Sequence, residues 1–146
     1  MTITSVDTVA VVVSDRHQAL KWYHETLGLP LTYIGPPESN SDARVQGTPE
    51  NAGHWIELGP NRPLTRLHIC ELADHKIEPG PTGITFLTDN IRSEYERLTA
   101  MGVKFGYPPR KMDWGEWLCS FRDPDGNEFD LKQPAAVERT LAASPA

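Results

Sequence analysis

The sequence contains few cysteines, and their positions point away from cysteine-based sites. Cys70 and Cys119 are the only two, and each lies in an apolar stretch outside any Cys-x-x-Cys or Cys/His spacing. A disulfide framework and a zinc finger are therefore not indicated. We predict that both residues are buried free thiols.

Long apolar runs and a basic leader segment are also absent. No segment approaches the roughly 18 consecutive apolar residues that mark a membrane-spanning helix. The first residues, MTITSVDTVA, lack the basic region and apolar core of a signal peptide. We therefore expect a cytoplasmic protein that makes no contact with a membrane.

Basic residues are the minority charge. The chain has 14 Lys and Arg against 20 Asp and Glu, which gives a formal net charge of −6. Because binding to nucleic-acid phosphates needs a basic face, we expect no nucleic-acid partner. A small cationic ligand is compatible with this charge.

Motifs for covalent and phosphate chemistry are missing as well. The sequence has no Gly-x-Ser-x-Gly elbow, no glycine-rich phosphate loop and no His-Glu-x-x-His pair. Covalent catalysis therefore has no support in the sequence.

One order of elements, a strand, a helix and three strands, occurs twice in the 146 residues, a length typical of one domain. In the first copy Val6–Val13 predicts a strand, Asp15 a helix N-cap and Gly28 the helix end. Asp15 precedes Gly28 by 13 positions, as Asp89 precedes Gly102. We predict three segments: a first module at 1–72, a second module at 73–133 and a tail at 134–146.

Short apolar segments predict the remaining elements. Leu31–Ile34 indicates the second strand, and HWIELG with TRLHICEL indicates a hairpin. In the second copy the strands are GITFLTD, VKFGY, EWLCSF and NEFDLKQ, and the helix is IRSEYERLTAMG. We predict loops at Gly35–Gly53 and at PPRKMDWG, where Pro, Gly and polar residues accumulate.

The acidic stretch FRDPDGNEFDL near the end of the second copy has the composition of a metal loop. DPDG is nevertheless typical of a turn, because Pro124 presets φ and Gly126 supplies a positive φ. The spacing does not match a calcium loop, which needs alternating oxygen ligands around a glycine at its sixth position. We therefore predict a hairpin turn.

Strand alternation then sorts the acidic residues. Past the turn, Phe129 and Leu131 are predicted to face the core, which leaves Asp130 on the opposite face. In HWIELG the same alternation leaves Trp55 and Glu57 on the face away from the core. Both carboxylates are therefore candidates for one shared cavity.

The doubled plan, the openings VAVVVSD and GITFLTD, the helix end WYHETLGL and the closing FRDPDGNEFDL together resemble the vicinal oxygen chelate superfamily. This group includes glyoxalase I, fosfomycin- and bleomycin-resistance proteins and extradiol dioxygenases. The resemblance covers Val6 to Gln133. It implies an α+β fold in which two βαβββ modules form an eight-stranded open barrel around a central cup, in a chain that assembles as a homodimer.

The resemblance also implies where a metal would bind, and the sequence departs from that pattern. The metal positions of the family fall at Thr8, Glu57, Gly83 and Asp130. Histidine is usual where this chain has Thr8 and Gly83, and neither replacement is a good ligand for a divalent metal. In the predicted hairpin His68 falls opposite Glu57, which would give a Glu57, His68 and Asp130 metal set. A shift of one residue in register would turn His68 to the other face.

Aromatic residues mark a second kind of candidate site. Tyr107, Trp114 and Trp117 lie in or beside the predicted second-module loop, and Trp55 shares a face with Glu57. They are predicted either to pack that loop against the sheet or to form a stacking wall for a flat or cationic ligand. The candidate ligand-binding residues are Thr8, Trp55, Glu57, Tyr107, Trp114, Trp117 and Asp130.

Three hypotheses for function follow. The first is a small-molecule binder of the bleomycin-resistance kind, with a degenerate metal site and no cofactor, that holds an aromatic or cationic organic ligand in the cup. The second is a metal-dependent lyase, isomerase or dioxygenase that uses Glu57 and Asp130, with His68 as a further ligand. The third is an interaction or regulatory domain whose cup is filled by its own side chains.

Overall fold

A computed structural model describes residues 2–36, 47–50, 52–53, 55–72 and 78–135. Two α-helices, one π-helical segment and eight strands are found in these residues. In chain order the α-helices and strands are β1 (Thr8–Val13), α1 (Arg16–Lys21), β2 (Leu31–Ile34), β3 (Ile56–Leu58), β4 (Arg66–Glu71), β5 (Pro81–Leu87), α2 (Ile91–Ala100), β6 (Lys104–Lys111), β7 (Trp117–Arg122) and β8 (Glu128–Gln133).

The chain divides into two compact units. The first comprises Met1–Gly80 with Pro124–Asn127, and the second comprises Pro81–Asp123 with Glu128–Ala146. The module boundary predicted after residue 72 adjoins 73–77, which lie outside the described residues, as do 136–146 in the predicted tail. The predicted segments at 1–72, 73–133 and 134–146 therefore stay predictions.

Each unit contains one four-stranded mixed sheet. The strand orders are β1-β4-β3-β2 and β5-β8-β7-β6. Strand β1 runs parallel to β4, and β5 runs parallel to β8. All other neighbouring strands are antiparallel. The predicted strand, helix and three-strand plan is thus confirmed in both copies, and the fold is α+β.

The first helical stretch, α1 with the π-helical segment that follows it, begins and ends where the sequence predicts. The Asp15 carboxylate accepts from the backbone N–H groups of His17 at 2.8 Å and Gln18 at 3.1 Å, which satisfies donors that have no partner inside the helix. After α1 the chain continues as one π-helical segment, Trp22–Thr26. Gly28, with φ of 88°, adopts the left-handed conformation that ends helices at low steric cost.

The core of the first unit follows from strand alternation. Ile56 pairs with Ile69 and Leu58 pairs with Leu67 across β3 and β4, and all four side chains are buried. Helix α1 packs against β4. Because successive residues face opposite sides of a sheet, Glu57 must lie on the other face.

The core of the second unit is aromatic and contains all four phenylalanines of the chain. The ring of Phe121 contacts Phe86, Phe105 and Phe129 at centroid distances of 6.1, 5.7 and 5.6 Å. Tyr95 of α2 packs edge-on against Phe105 at 4.7 Å. The predicted core pair is confirmed, since Phe129 and Leu131 are both buried.

The predicted loop PPRKMDWG is wrong in its first half. Strand β6 continues through Pro108 and Pro109 to Lys111. It is an edge strand of its sheet, and prolines are tolerated at an edge because one side of the strand needs no N–H donors. In the predicted loop Gly35–Gly53 the described residues form no strand or helix, and 37–46 and 51 lie outside them.

The DPDG segment forms the predicted turn between β7 and β8. Gly126 has a φ of 89°, which the turn requires and other residues adopt at a steric cost. The next residue, Asn127, is buried. Its amide N–H donates to the carbonyl of Val12 at 2.7 Å, and its amide oxygen accepts from the N–H of Gly80 at 3.3 Å.

Both cysteines are buried free thiols, as predicted. Burial, together with the nearby charge of Asp130, raises the pKa of the Cys119 thiol to about 11. The thiol is therefore protonated at neutral pH, which makes it a poor nucleophile.

None of the described helices is both long and apolar enough to cross a lipid bilayer. Helix α2 has only 10 residues, and α1 together with the π-helical segment that follows it spans only 16–26.

The aromatic core gives the first prediction. Replacing Phe121 by alanine removes a fully buried ring, and we expect the free energy of unfolding to fall by about 3–5 kcal/mol. Chemical denaturation measures this change. Leu87→Ala is the control, because Leu87 is 68% exposed and should shift stability by no more than about 0.5 kcal/mol. Equal effects of the two substitutions would contradict this description of the core.

Candidate functional site

The face of the first sheet opposite its core carries polar side chains. Glu57 of β3 lies opposite His68 of β4, and Tyr33 of β2 lies opposite Glu57. Thr8 of β1 lies opposite Arg66, two residues before His68. The predicted cross-strand pairing of Glu57 with His68 is confirmed, and these five residues define what we call the polar face of the first sheet.

The carboxylate of Glu57 is held by two donors. Arg66 Nε donates to Oε1 at 2.6 Å, and Trp55 Nε1 donates to Oε2 at 2.6 Å. Glu57 is 8% exposed and Arg66 is 3% exposed. A charge buried to this degree is costly unless it is paired and hydrogen-bonded. Each of the two ions therefore makes burial of the other tolerable.

The sequence reasoning missed Arg66, although the signal was present. The alternation that places His68 opposite Glu57 also places Arg66 and Cys70 on that face. Glu57 lies opposite His68, two residues after Arg66. The long side chain of Arg66 can therefore reach the Glu57 carboxylate from this diagonal position.

The ion pair extends to a second carboxylate. Asp7 Oδ1 accepts from Arg66 Nη2 and from Arg62 Nε, both at 2.9 Å, and Asp7 Oδ2 accepts from Arg62 Nη2 at 3.3 Å. The hydrogen bond from Arg62, supported by Arg66, holds the pKa of Asp7 below its ordinary value. Glu57, Arg66, Asp7 and Arg62 thus form a chain of alternating charges.

A cavity of about 530 Å³ lies beside this chain of charges. Its wall combines two guanidinium groups, one carboxylate and uncharged hydrogen-bonding groups. The lining residues are Thr32, Tyr33, Glu57, Asn61, Arg62 and Arg66. This composition suits a polar organic molecule that makes several hydrogen bonds.

Trp55 and His68 stack on each other next to the Glu57 carboxylate. Their ring centroids are 3.5 Å apart and their planes differ by 26°. The Cys70 Sγ lies 3.4 Å from both ring nitrogens of His68. Trp55 is 45% exposed, and its carbonyl accepts from the N–H of Gly35 at 2.6 Å. A flat ring that is held in place and remains accessible is suited to stacking with a ligand.

The predicted metal set finds no support in the described residues. Among residues 2–36, 47–50, 52–53, 55–72 and 78–135, no group of three or more His, Cys, Asp and Glu side chains is arranged to hold a metal ion. Glu57 and Asp130 belong to different compact units. The Glu57, His68 and Asp130 site and the shared cavity therefore stay predictions.

Gly83 has a structural reason to be glycine. It lies in β5 with φ of 73°, between Pro81 and Thr85, where the pairing with β8 shifts register. Side chains other than glycine are strained at such an angle. The backbone thus disfavours a histidine ligand at this position.

Asp130 lies in a polar row on the second sheet. It is opposite Thr85 on one side and Ser120 on the other, and Ser120 is opposite Tyr107. This row is equivalent to the row Tyr33, Glu57 and His68 across the first sheet, because Tyr107, Ser120 and Asp130 lie on the corresponding strands of the second. Asp130 and Tyr107 are half-buried, and the Tyr107 ring lies under the guanidinium of Arg110 at 4.0 Å.

Trp117 lies on the other face of this sheet, which corrects one prediction. It pairs with Gln133, and alternation along β7 places it with Cys119 and Phe121 on the core side. It lines a separate cavity of about 240 Å³ together with Ile91, Arg92, Pro109 and Gln133. Trp117 and Asp130 therefore do not share a face, contrary to the expectation that both line one cavity.

Trp114 repeats the arrangement that holds Trp55. Its Nε1 donates to Glu116 Oε1 at 2.7 Å, and Lys132 Nζ lies 3.4 Å from Glu116 Oε2. Glu116 is buried, whereas Trp114 is 52% exposed. In both units a tryptophan is thus fixed by the carboxylate two residues later, which a basic residue neutralises.

Residues 5–131 match the model of the Glyoxalase/Bleomycin resistance protein/Dioxygenase superfamily. The chain belongs to this superfamily. The family predicted from the sequence motifs is thereby confirmed, and the two sheets described above are the α+β arrangement expected of a superfamily member.

Individual relatives cover nearly the whole chain. The uncharacterized protein YetH of Bacillus subtilis is 32% identical over 134 residues, which are 90% of this chain and 99% of YetH. A superfamily member from Sphaerobacter thermophilus has a crystal structure with a TM-score of 0.73 at 30% identity, and the match covers 90% of this chain and 98% of that one. TnmS3, an antibiotic binding protein from a Streptomyces species, has a TM-score of 0.70 at 28% identity, covering 92% and 99%.

The buried ion pair gives the second prediction. Arg66→Met leaves the Glu57 carboxylate buried beside an apolar side chain, and we expect a loss of about 3–5 kcal/mol in the free energy of unfolding. Glu57→Gln combined with Arg66→Met removes both charges and should recover most of that loss. Chemical denaturation measures both variants.

Arg97→Met is the matched control for this experiment. Arg97 is a partly exposed arginine whose Nε donates to Glu94 at 2.5 Å, and loss of such a pair should cost no more than about 1 kcal/mol. If Arg66→Met lowers the free energy of unfolding no more than Arg97→Met does, the ion pair between Arg66 and Glu57 does not stabilise the first unit as proposed.

Proposed function

We propose that this superfamily member binds an organic small molecule and that it does so without a metal ion. The observation that carries the proposal is the Glu57 carboxylate, which is paired with Arg66 beside a cavity of about 530 Å³. Assembly as a homodimer, cytoplasmic location and the lack of a nucleic-acid partner are parts of the same proposal.

The donor set of the first unit does not fit a divalent metal. Both Glu57 oxygens already accept hydrogen bonds from protein donors. The guanidinium of Arg66, 2.6 Å from the carboxylate, places a fixed positive charge where a metal cation would have to approach. At the remaining family positions, Thr8 offers a weak ligand and Gly83 offers none.

Three observations support a small organic ligand. Cavities of roughly 300–1,000 Å³ are typical of small-molecule sites, and the cavity beside Glu57 falls within that range at about 530 Å³. Trp55 presents an accessible flat ring that its bond to Glu57 keeps in place. TnmS3, at 28% identity over 92% of this chain, is named for antibiotic binding.

The proposed contacts follow from these placements. In the first unit the ligand contacts Trp55 by stacking and Glu57 through the cavity wall, with Thr8 on the same face of the sheet. In the second unit Tyr107, Trp114 and Asp130 remain proposed ligand contacts. Trp117 is left out, because it faces the core side of its sheet.

Ligand binding is the third prediction. Thermal unfolding of the purified protein is followed with a panel of aromatic antibiotics that includes bleomycin, and isothermal calorimetry measures the affinity of any compound that raises Tm. We expect at least one compound to raise Tm in proportion to the logarithm of its concentration. Trp55→Ala should lower the affinity for that compound by at least about tenfold, because the ring that stacks on the ligand is lost.

Met101→Ala is the control for the tryptophan variant, since Met101 is 49% exposed and lies in the other unit. It should leave the affinity unchanged. A panel in which no compound raises Tm, or a Trp55→Ala variant that binds as tightly as Met101→Ala, would contradict the proposed binding site.

Metal content is the fourth prediction. Protein purified without chelators is analysed by elemental mass spectrometry, and we expect far less than one Ni, Zn, Mn or Fe per chain, because Arg66 neutralises Glu57. Stoichiometric metal that disappears in Glu57→Ala and persists in a folded Met101→Ala control would overturn the proposal. That result would favour the metal-dependent lyase, isomerase or dioxygenase.

A further inference from the structure

We propose that the cavity beside Glu57 recognises an anionic group on its ligand, a carboxylate, through the guanidinium of Arg62. This inference rests on the proposed function and specifies the chemical class of the ligand. It differs from the sequence-based hypothesis, in which the ligand is aromatic or cationic.

The charge of the cavity wall is the first argument. Arg62 and Arg66 line the cavity with a single carboxylate, that of Glu57. Among the lining side chains the guanidinium groups therefore outnumber the carboxylates by one, and the balancing carboxylate, that of Asp7, is not part of the lining. Because a ligand carboxylate that took the place of Asp7 would meet this positive charge, the lining is complementary to one negative group.

Asp7 shows that the arginine pair is shaped for a carboxylate. Two nitrogens of Arg62 donate to the two Asp7 oxygens at 2.9 and 3.3 Å. Arg66 adds a third bond, to Oδ1, at 2.9 Å. This fork geometry is how arginine binds any carboxylate. In the structure the chain's own Asp7 supplies the negative group that balances the two arginines.

The two arginines differ in how readily they change partners. The Arg66 side chain is 3% exposed and is held by Glu57 at 2.6 Å, whereas the side chains of Arg62 and Asp7 are 72% and 51% exposed. Exposed ion pairs contribute little to stability and exchange readily. Arg62 can therefore turn from Asp7 to a ligand carboxylate, while Arg66 keeps its place between Glu57 and Asp7.

The uncharged residues of the wall complete the site. Asn61 is the neighbour of Arg62, and Tyr33 lies opposite Glu57 on β2. Thr32 is already bonded through its hydroxyl to the carbonyls of Glu57 and Gly59, both at 3.2 Å. Asn61 and Tyr33 thus offer hydrogen bonds to the rest of the ligand, and Arg62 is the residue that selects its charge.

A series of three probes of one size tests this inference. Isothermal calorimetry at low salt compares 2-naphthoate, neutral 2-naphthamide and the cation 2-naphthylmethylammonium, which share a flat ring and differ in charge. We expect 2-naphthoate to bind at least tenfold more tightly than the amide and the cation to bind most weakly. Raising the salt concentration should weaken only 2-naphthoate appreciably.

Two variants assign the preference to named residues. Arg62→Gln should reduce the affinity for 2-naphthoate to that of the amide. Asp7→Asn removes the carboxylate that competes with the ligand for Arg62. It should therefore raise the affinity for 2-naphthoate severalfold and leave the affinity for the amide unchanged. Arg97→Gln is the matched control, because it removes the same charge from a partly exposed arginine paired with Glu94, and it should change neither affinity. Thermal unfolding establishes that each variant is folded.

Several results would overturn the inference. These are equal binding of the three probes, a preference for the cation, no binding of any probe, or an Asp7→Asn variant that binds 2-naphthoate more weakly. If an antibiotic from the panel still binds in such a case, the proposed function stands and only the charge class of its ligand is wrong. If neither the panel nor the probes bind, both proposals fail.

Discussion

The buried ion pair between Glu57 and Arg66 is the constraint on which the rest of the first unit depends. A carboxylate at this position would be costly without a partner, and the structure gives it a guanidinium and an indole N–H. The same two contacts orient Trp55 and fix one wall of the cavity. The charge of the Glu57 carboxylate is thereby balanced within the protein by Arg66.

Local rules predicted much of the fold. Hydrophobic alternation placed Ile56 and Leu58 in the core and Glu57 on the opposite face, and turn chemistry placed the DPDG hairpin. The duplicated order of elements predicted both sheets. These features depend on contacts close in the chain or on a simple period, so that one sequence is enough to recognise them.

The sequence could not predict which partner each charged side chain would choose. Arg66 was available on the predicted face, but its bond to Asp7 joins residues 59 positions apart, and no local rule specifies such a pair. No face was predicted for Trp117, because its position relative to Asp130 depends on the register of β7 and β8. The edge position of β6, which allows Pro108 and Pro109 in a strand, is also a property of the whole sheet.

The duplicated rows show how one scaffold holds two different polar sites. Tyr33 and Tyr107 occupy equivalent strand positions, whereas the place of Glu57 in the first sheet is taken by Ser120 in the second.

The most direct test of metal-independent binding is calorimetry of the panel compound that binds, with protein in EDTA and with protein given Mn²⁺, Ni²⁺ or Zn²⁺. We expect the same Kd in all four solutions. Binding that is lost in EDTA and restored by one of the metals would contradict it.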